Sequence, residues 1–70
     1  RGWKALRTAR YRYVAEASGQ EHLWDLDEDP GEYNDVVHER AYAEDLAELR
    51  RVLLTRVIAT ERVLPRVWNY

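Results

Sequence analysis

The chain contains no cysteine. No disulfide and no thiolate-metal site can staple the fold, and the same absence fits a reducing compartment. Methionine is absent too, and the chain starts "RGWKAL". A fragment cut from a larger protein is the expectation. No apolar run approaches the roughly 20 residues that span a membrane. No signal peptide is visible either, so no membrane partner is expected.

What is present reads as one small domain, residues 1–70. A chain this short buries only about 60% of its unfolded surface, so its stability alone is marginal. At 46% hydrophobic and 34% charged, it is globular rather than disordered. The net charge is −2, but the charges are sorted along the chain. Residues 1–13 carry five bases (Arg1, Lys4, Arg7, Arg10, Arg12) and no acid. Residues 16–48 carry twelve of the thirteen acids and one base, Arg40. The end is basic again, at Arg50, Arg51, Arg56, Arg62 and Arg66. Blocks of opposite sign brought together by hairpins neutralise each other. With the basic blocks covered in this way, no nucleic-acid partner is expected.

"WKALRTARYRYVAEA" (3–17) is rich in aromatic and β-branched residues with polar ones interleaved. Tyr11, Tyr13 and Ala15 share one face of a strand; Arg12, Val14 and Glu16 share the other. The run is too long for one strand of about five or six residues. It breaks at "RTAR", which lacks glycine but is its least hydrophobic point. "SGQE" (18–21) is a clearer turn, because Gly19 tolerates positive φ. "HLWDL" (22–26) is a third short strand. "NDVVHERAY" has room for a short helical turn. From about Tyr42 to Leu64 the spacing is helical, with Leu46, Leu49, Leu53 and Val57 on one face and Ala47, Leu54 and Ile58 in a second apolar row beside it. Pro65 is expected to stop the helix, leaving "RVWNY" as a short tail. The fold class is therefore α+β: an antiparallel β-meander of about three strands packed against one long C-terminal helix. A wide apolar helix face, a sheet edge and the aromatics Trp68 and Tyr70 lead us to expect a homo-oligomer when the chain is isolated.

The acidic stretch "LWDLDEDPGEYND" (23–35) puts six acids into thirteen positions. Asp25, Asp27 and Asp29 alternate as an EF-hand loop begins. Counted from Asp25, however, position 6 is Pro30 and position 12 is Val36, where that loop needs Gly and a bidentate Glu. Neighbouring acids on a turn do not form the cleft-flanking pair of a carboxylate catalyst. A turn accounts for more of these residues. Asp29 accepts from N–H groups just ahead, Pro30 sets φ at the first corner, and Gly31 relaxes the next. His22 and His38 lie far apart and have no cysteine partners for zinc. Ser18 sits in a Gly turn that is no nucleophile elbow, and Thr8, Thr55 and Thr60 have no evident base. Tyr11, Tyr13, Arg10 and Arg12 could stack on and grip a single nucleic-acid strand. Alternating Tyr and Arg more often marks a half-buried strand whose polar face meets acids.

Three pieces in this order resemble the C-terminal part of sulfatases, arylsulfatase-like members of the alkaline-phosphatase superfamily. The first family pattern is RT-x-R-Y-K-Y, matched by Arg7, Thr8, Arg10, Tyr11 and Tyr13, with Arg12 where Lys is usual. The second is E-L-Y-D-L-x-x-D-P-x-E-x-x-N-L, matched by Leu23, Asp25, Leu26, Asp29, Pro30 and Glu32. His22, Trp24, Asp35 and Val36 stand where Glu, Tyr, Asn and Leu are common. The amphipathic helix is the third piece, and the resemblance covers roughly residues 3–60. It implies a small subdomain of antiparallel sheet and long helix beside a large catalytic domain, its partner in the parent chain. It also implies a parent enzyme that uses formylglycine, made from Cys or Ser in a C/S-x-P-x-R motif, and a divalent cation, usually calcium. That motif is not in these residues. No catalytic, cofactor-binding or metal residue of the family carries over, and the fragment needs no cofactor of its own. The expected function is that of a non-catalytic subdomain that buttresses the catalytic domain and shapes the rim of its substrate pocket. The alternative is a free-standing β-meander/helix interaction module.

Overall fold

A computed structural model describes the backbone of residues 2–68 and the side chains of residues 2–60. Three strands, β1 (Trp3–Arg7), β2 (Tyr11–Glu16) and β3 (Glu21–Asp25), form an antiparallel meander in the order β1-β2-β3. A short 3-10 turn at Arg40–Tyr42 leads into one helix, α1 (Ala43–Trp68). The α+β arrangement is the one that the two sequence periods predict.

The first hairpin turns without glycine because Thr8 replaces it. Its hydroxyl accepts the N–H of Tyr11 at 2.9 Å and of Arg10 at 3.3 Å, while its own N–H donates to the Tyr11 carbonyl at 2.8 Å. The second turn uses Gly19 at φ 98°, a left-handed conformation that side chains disfavour.

Register sorts the side chains. Leu6 lies across from Tyr13, Tyr13 from Leu23, and Tyr11 from Asp25, all on the inner face. On that face Leu6, Tyr11, Tyr13 and Leu23 bury against Leu46 and Leu49 of α1 and against Val36 and Val37 of the connecting loop. The leucine row of α1 is covered at its start and half-covered by Leu53. The second row is not: Leu54 is 58% and Ile58 46% exposed. Glu44 and Asp45 in the first turn of α1 suit the positive end of its dipole.

Three expectations need correction. The third strand is Glu21–Asp25, one residue earlier than the sequence suggests. Pro65 does not stop the helix, which continues to Trp68. Proline withholds one backbone donor and its ring crowds the carbonyl one turn earlier, but its fixed φ near −65° is itself helical, so the chain can continue as a helix. Residues 66–68 of the expected tail therefore belong to α1, while Tyr70 and the side chain of Trp68 lie outside the described residues. At the acidic turn the left-handed residue is Glu32, with φ 59°, and not Gly31. The Glu32 N–H closes the turn onto the Asp29 carbonyl at 3.0 Å, and that geometry sends the chain left-handed one position later.

Candidate functional site

The acids of residues 25–32 separate into different tasks. Asp25 is the most constrained, 1% exposed at the end of β3. Arg10 donates to it with Nε at 3.3 Å and Nη2 at 3.1 Å. The Tyr42 hydroxyl donates at 2.8 Å and the Asp27 N–H at 3.1 Å. Arg10 above all, then Tyr42 and the loop N–H groups, outweigh burial and hold the Asp25 carboxyl at about 2. Asp29 instead accepts the backbone N–H of Tyr33 at 3.1 Å and of Asn34 at 2.8 Å. Glu32 takes Arg12 at 2.7 Å, and Asp27 stands 4.0 Å from Arg10. Among the described residues, no group of three or more acids and histidines is arranged to hold a metal ion.

The hydroxyls considered as nucleophiles are engaged as well. Thr8 serves its turn, and Thr55 and Thr60 donate to the carbonyls of Arg51 and Arg56 at 2.8 and 3.0 Å. Ser18 leans on Glu16 at 3.4 Å. Tyr13 donates to Glu21 and is pushed up to about 12 by burial and then by that carboxylate. Arg50 grips Glu21 through two contacts of 2.7 Å and, as the chief cause, holds it at about 2. The basic ends of the chain thus meet its acidic middle, as charge sorting predicts. Tyr11 and Tyr13 lie in the core and do not form a stacking platform.

The outer face of the sheet is one surface open for recognition. A shallow hollow of about 450 Å³ is lined by Gly2, Trp3, Arg12, Val14, Glu16 and Trp24. Arg12 lies over the Trp24 ring at 5.1 Å, and the His22 ring stacks on Trp24 at 5.9 Å and 18°. His22 reaches Glu16 through Nε2 at 2.9 Å and Asp35 through Nδ1 at 2.8 Å. With a carboxylate at each nitrogen, the imidazole holds its proton more tightly than usual, Asp35 contributing most and Glu16 next. The two carboxylates hold the ring in place between β2 and the loop after β3. Trp3 stands 54% exposed at the margin. Period-2 alternation on β2 places Arg12, Val14 and Glu16 together. The join to Trp24 and His22 depends on the β2–β3 register, which the local pattern does not contain.

No family model, no curated protein and no solved structure matches this chain.

Proposed function

We infer that this chain is the C-terminal subdomain of a sulfatase-like sulfuric ester hydrolase. It is non-catalytic itself; it buttresses the catalytic domain and shapes the rim of the substrate pocket. One observation carries the inference: the two stretches that resemble sulfatases interlock with each other. Thr8 builds the turn, and Arg10 from the first stretch clamps Asp25 from the second. The Arg10 carbonyl accepts the Leu26 N–H at 2.6 Å. Tyr13 lies across from Leu23, and Glu32 receives Arg12. Several matched residues, Thr8, Arg10, Tyr13, Leu23, Asp25 and Glu32 among them, therefore help to tie the two stretches together, which supports a shared scaffold. The exposed Trp3, Leu54 and Ile58 suit a piece that rests against a larger body. The same exposure suits the alternative, a free-standing interaction module.

The coding sequence upstream of Arg1 separates the two. A C/S-x-P-x-R motif several hundred residues earlier is expected, and an upstream region without one favours the module. The 70-residue chain by itself should not hydrolyse an aryl sulfate; sustained turnover by the purified chain would overturn the non-catalytic assignment.

A further inference from the structure

The two edges of the sheet are finished differently. On β3, Leu23 turns its backbone outward, and both groups are taken: its N–H donates to Asp35 Oδ1 at 2.9 Å, and its carbonyl accepts the Val36 N–H at 2.8 Å. The Asp25 carbonyl accepts the Asp29 N–H at 2.8 Å. The loop thereby caps this edge. On β1, the bonds from Ala17 N–H to the Gly2 carbonyl and from Thr8 N–H to the Tyr11 carbonyl show that even-numbered residues face β2. Trp3, Ala5 and Arg7 therefore present their N–H and C=O groups to the open side. No partner for them exists among the described residues.

We propose that this open edge pairs with β1 of a second copy of the chain, antiparallel about Ala5, joining two meanders into a six-stranded sheet. The sequence of the edge selects the partner and the register. Centred on Ala5, the pairing satisfies all three outward N–H groups on each copy, six hydrogen bonds in all. Trp3 then lies opposite Arg7 of the second copy on the outer face, an exposed indole beside an exposed guanidinium. Lys4 lies opposite Leu6. Centring on Lys4 or on Arg7 sets that cation against its own copy, and centring on Leu6 uses only Ala5 and Arg7. The strand is self-complementary in one register, as a two-fold contact requires. The axis runs normal to the sheet and keeps both copies of α1 on one face. The proposal does not rest on the sulfatase-like assignment. It narrows the expected self-association to the β1 edge.

Sedimentation equilibrium of the 70-residue protein from micromolar to millimolar concentration, with circular dichroism alongside, tests it. The mass should rise from 8.4 kDa towards twice that value. Ala5→Pro removes a donor that points outward, so the β1–β2 ladder keeps its bonds. It should raise the dimer midpoint at least about tenfold. Trp3→Lys sets a cation opposite Arg7 of the second copy and should do the same; it decides alone if Ala5→Pro loses its sheet signal. Leu54→Ser, on the exposed helix row, should leave the midpoint unchanged. A monomer at every concentration would overturn the proposal, and so would a dimer that survives Trp3→Lys or dissolves with Leu54→Ser.

Discussion

Asp25 joins the first hairpin, the acidic turn and the start of the helix through one carboxylate. Arg10 comes from the β1–β2 turn, the Asp27 N–H from the loop, and Tyr42 from the 3-10 turn before α1. A buried charge with this many donors is stable only while they remain. Asp25→Ala leaves the Tyr42 hydroxyl and the Asp27 N–H without their acceptor while the half-exposed Arg10 turns to solvent, and it should cost about 2 kcal/mol, read as a lowered urea midpoint. Arg10→Lys keeps the charge but loses the paired Nε and Nη2 geometry, so it should fall between wild type and Asp25→Ala. Equal midpoints for all three proteins would mean that the clamp contributes nothing. The residue stands out in sequence only as one aspartate among several. Its burial follows from β3 ending where the loop folds back over it.

Turns explain why three short strands form and stay in register. Gly19 sits at φ 98° with open space around it, so the cost of a side chain there is conformational. Gly19→Ala should destabilise by about 1 kcal/mol. Gly31 is different: its backbone is not left-handed, and the nearest atoms that an added methyl group would meet belong to the ring of Tyr33. That ring is exposed and can swing away, so Gly31→Ala should be close to neutral. Thermal unfolding of the two variants gives the comparison directly, and a larger loss at Gly31 would contradict it. From sequence the two glycines look alike, each beside polar turn residues. Only the backbone path distinguishes a glycine that needs its freedom from one that does not.

Across the whole molecule, ion pairs make stability depend on pH. In the folded chain Asp25 and Glu21 stay ionised down to about 2, against ordinary values of 3.8 and 4.5. Their contribution is complete above the ordinary values and disappears as pH falls towards 2. Tyr13 works at the other end: held neutral up to about 12 against an ordinary 10.0, it contributes fully below 10.0 and is lost as pH rises through 12. Urea midpoints should therefore form a plateau between about pH 4.5 and 6.5, with a steep fall on the acid side and a smaller decline at higher pH as His22 loses the proton that Asp35 and Glu16 favour. Glu21→Gln should lower the plateau and make that acid fall shallower. A wild-type midpoint that stays flat down to about pH 2 would show that these pairs do not couple to folding.

Three strands, one long helix and the face on which each β2 residue sits were legible in the amino-acid order, because alternation and 3-and-4 spacing are local properties. So were the Asp29–Pro30 corner and the pairing of basic ends with an acidic middle. The particular partners were not legible. Arg10 with Asp25, Arg50 with Glu21 and His22 between Glu16 and Asp35 join residues from 6 to 29 positions apart. Such partners are set by register and by where a loop returns. For the same reason the outer-face hollow could not be drawn from β2 alone: its other wall comes from β1 and β3. Pro65 shows the converse limit, since a residue that usually ends helices lies inside one. The contrast between a capped β3 edge and an open β1 edge belongs to the fold alone. Strand period is identical in both, and what differs is whether a later segment, residues 35–37, comes back to satisfy the backbone.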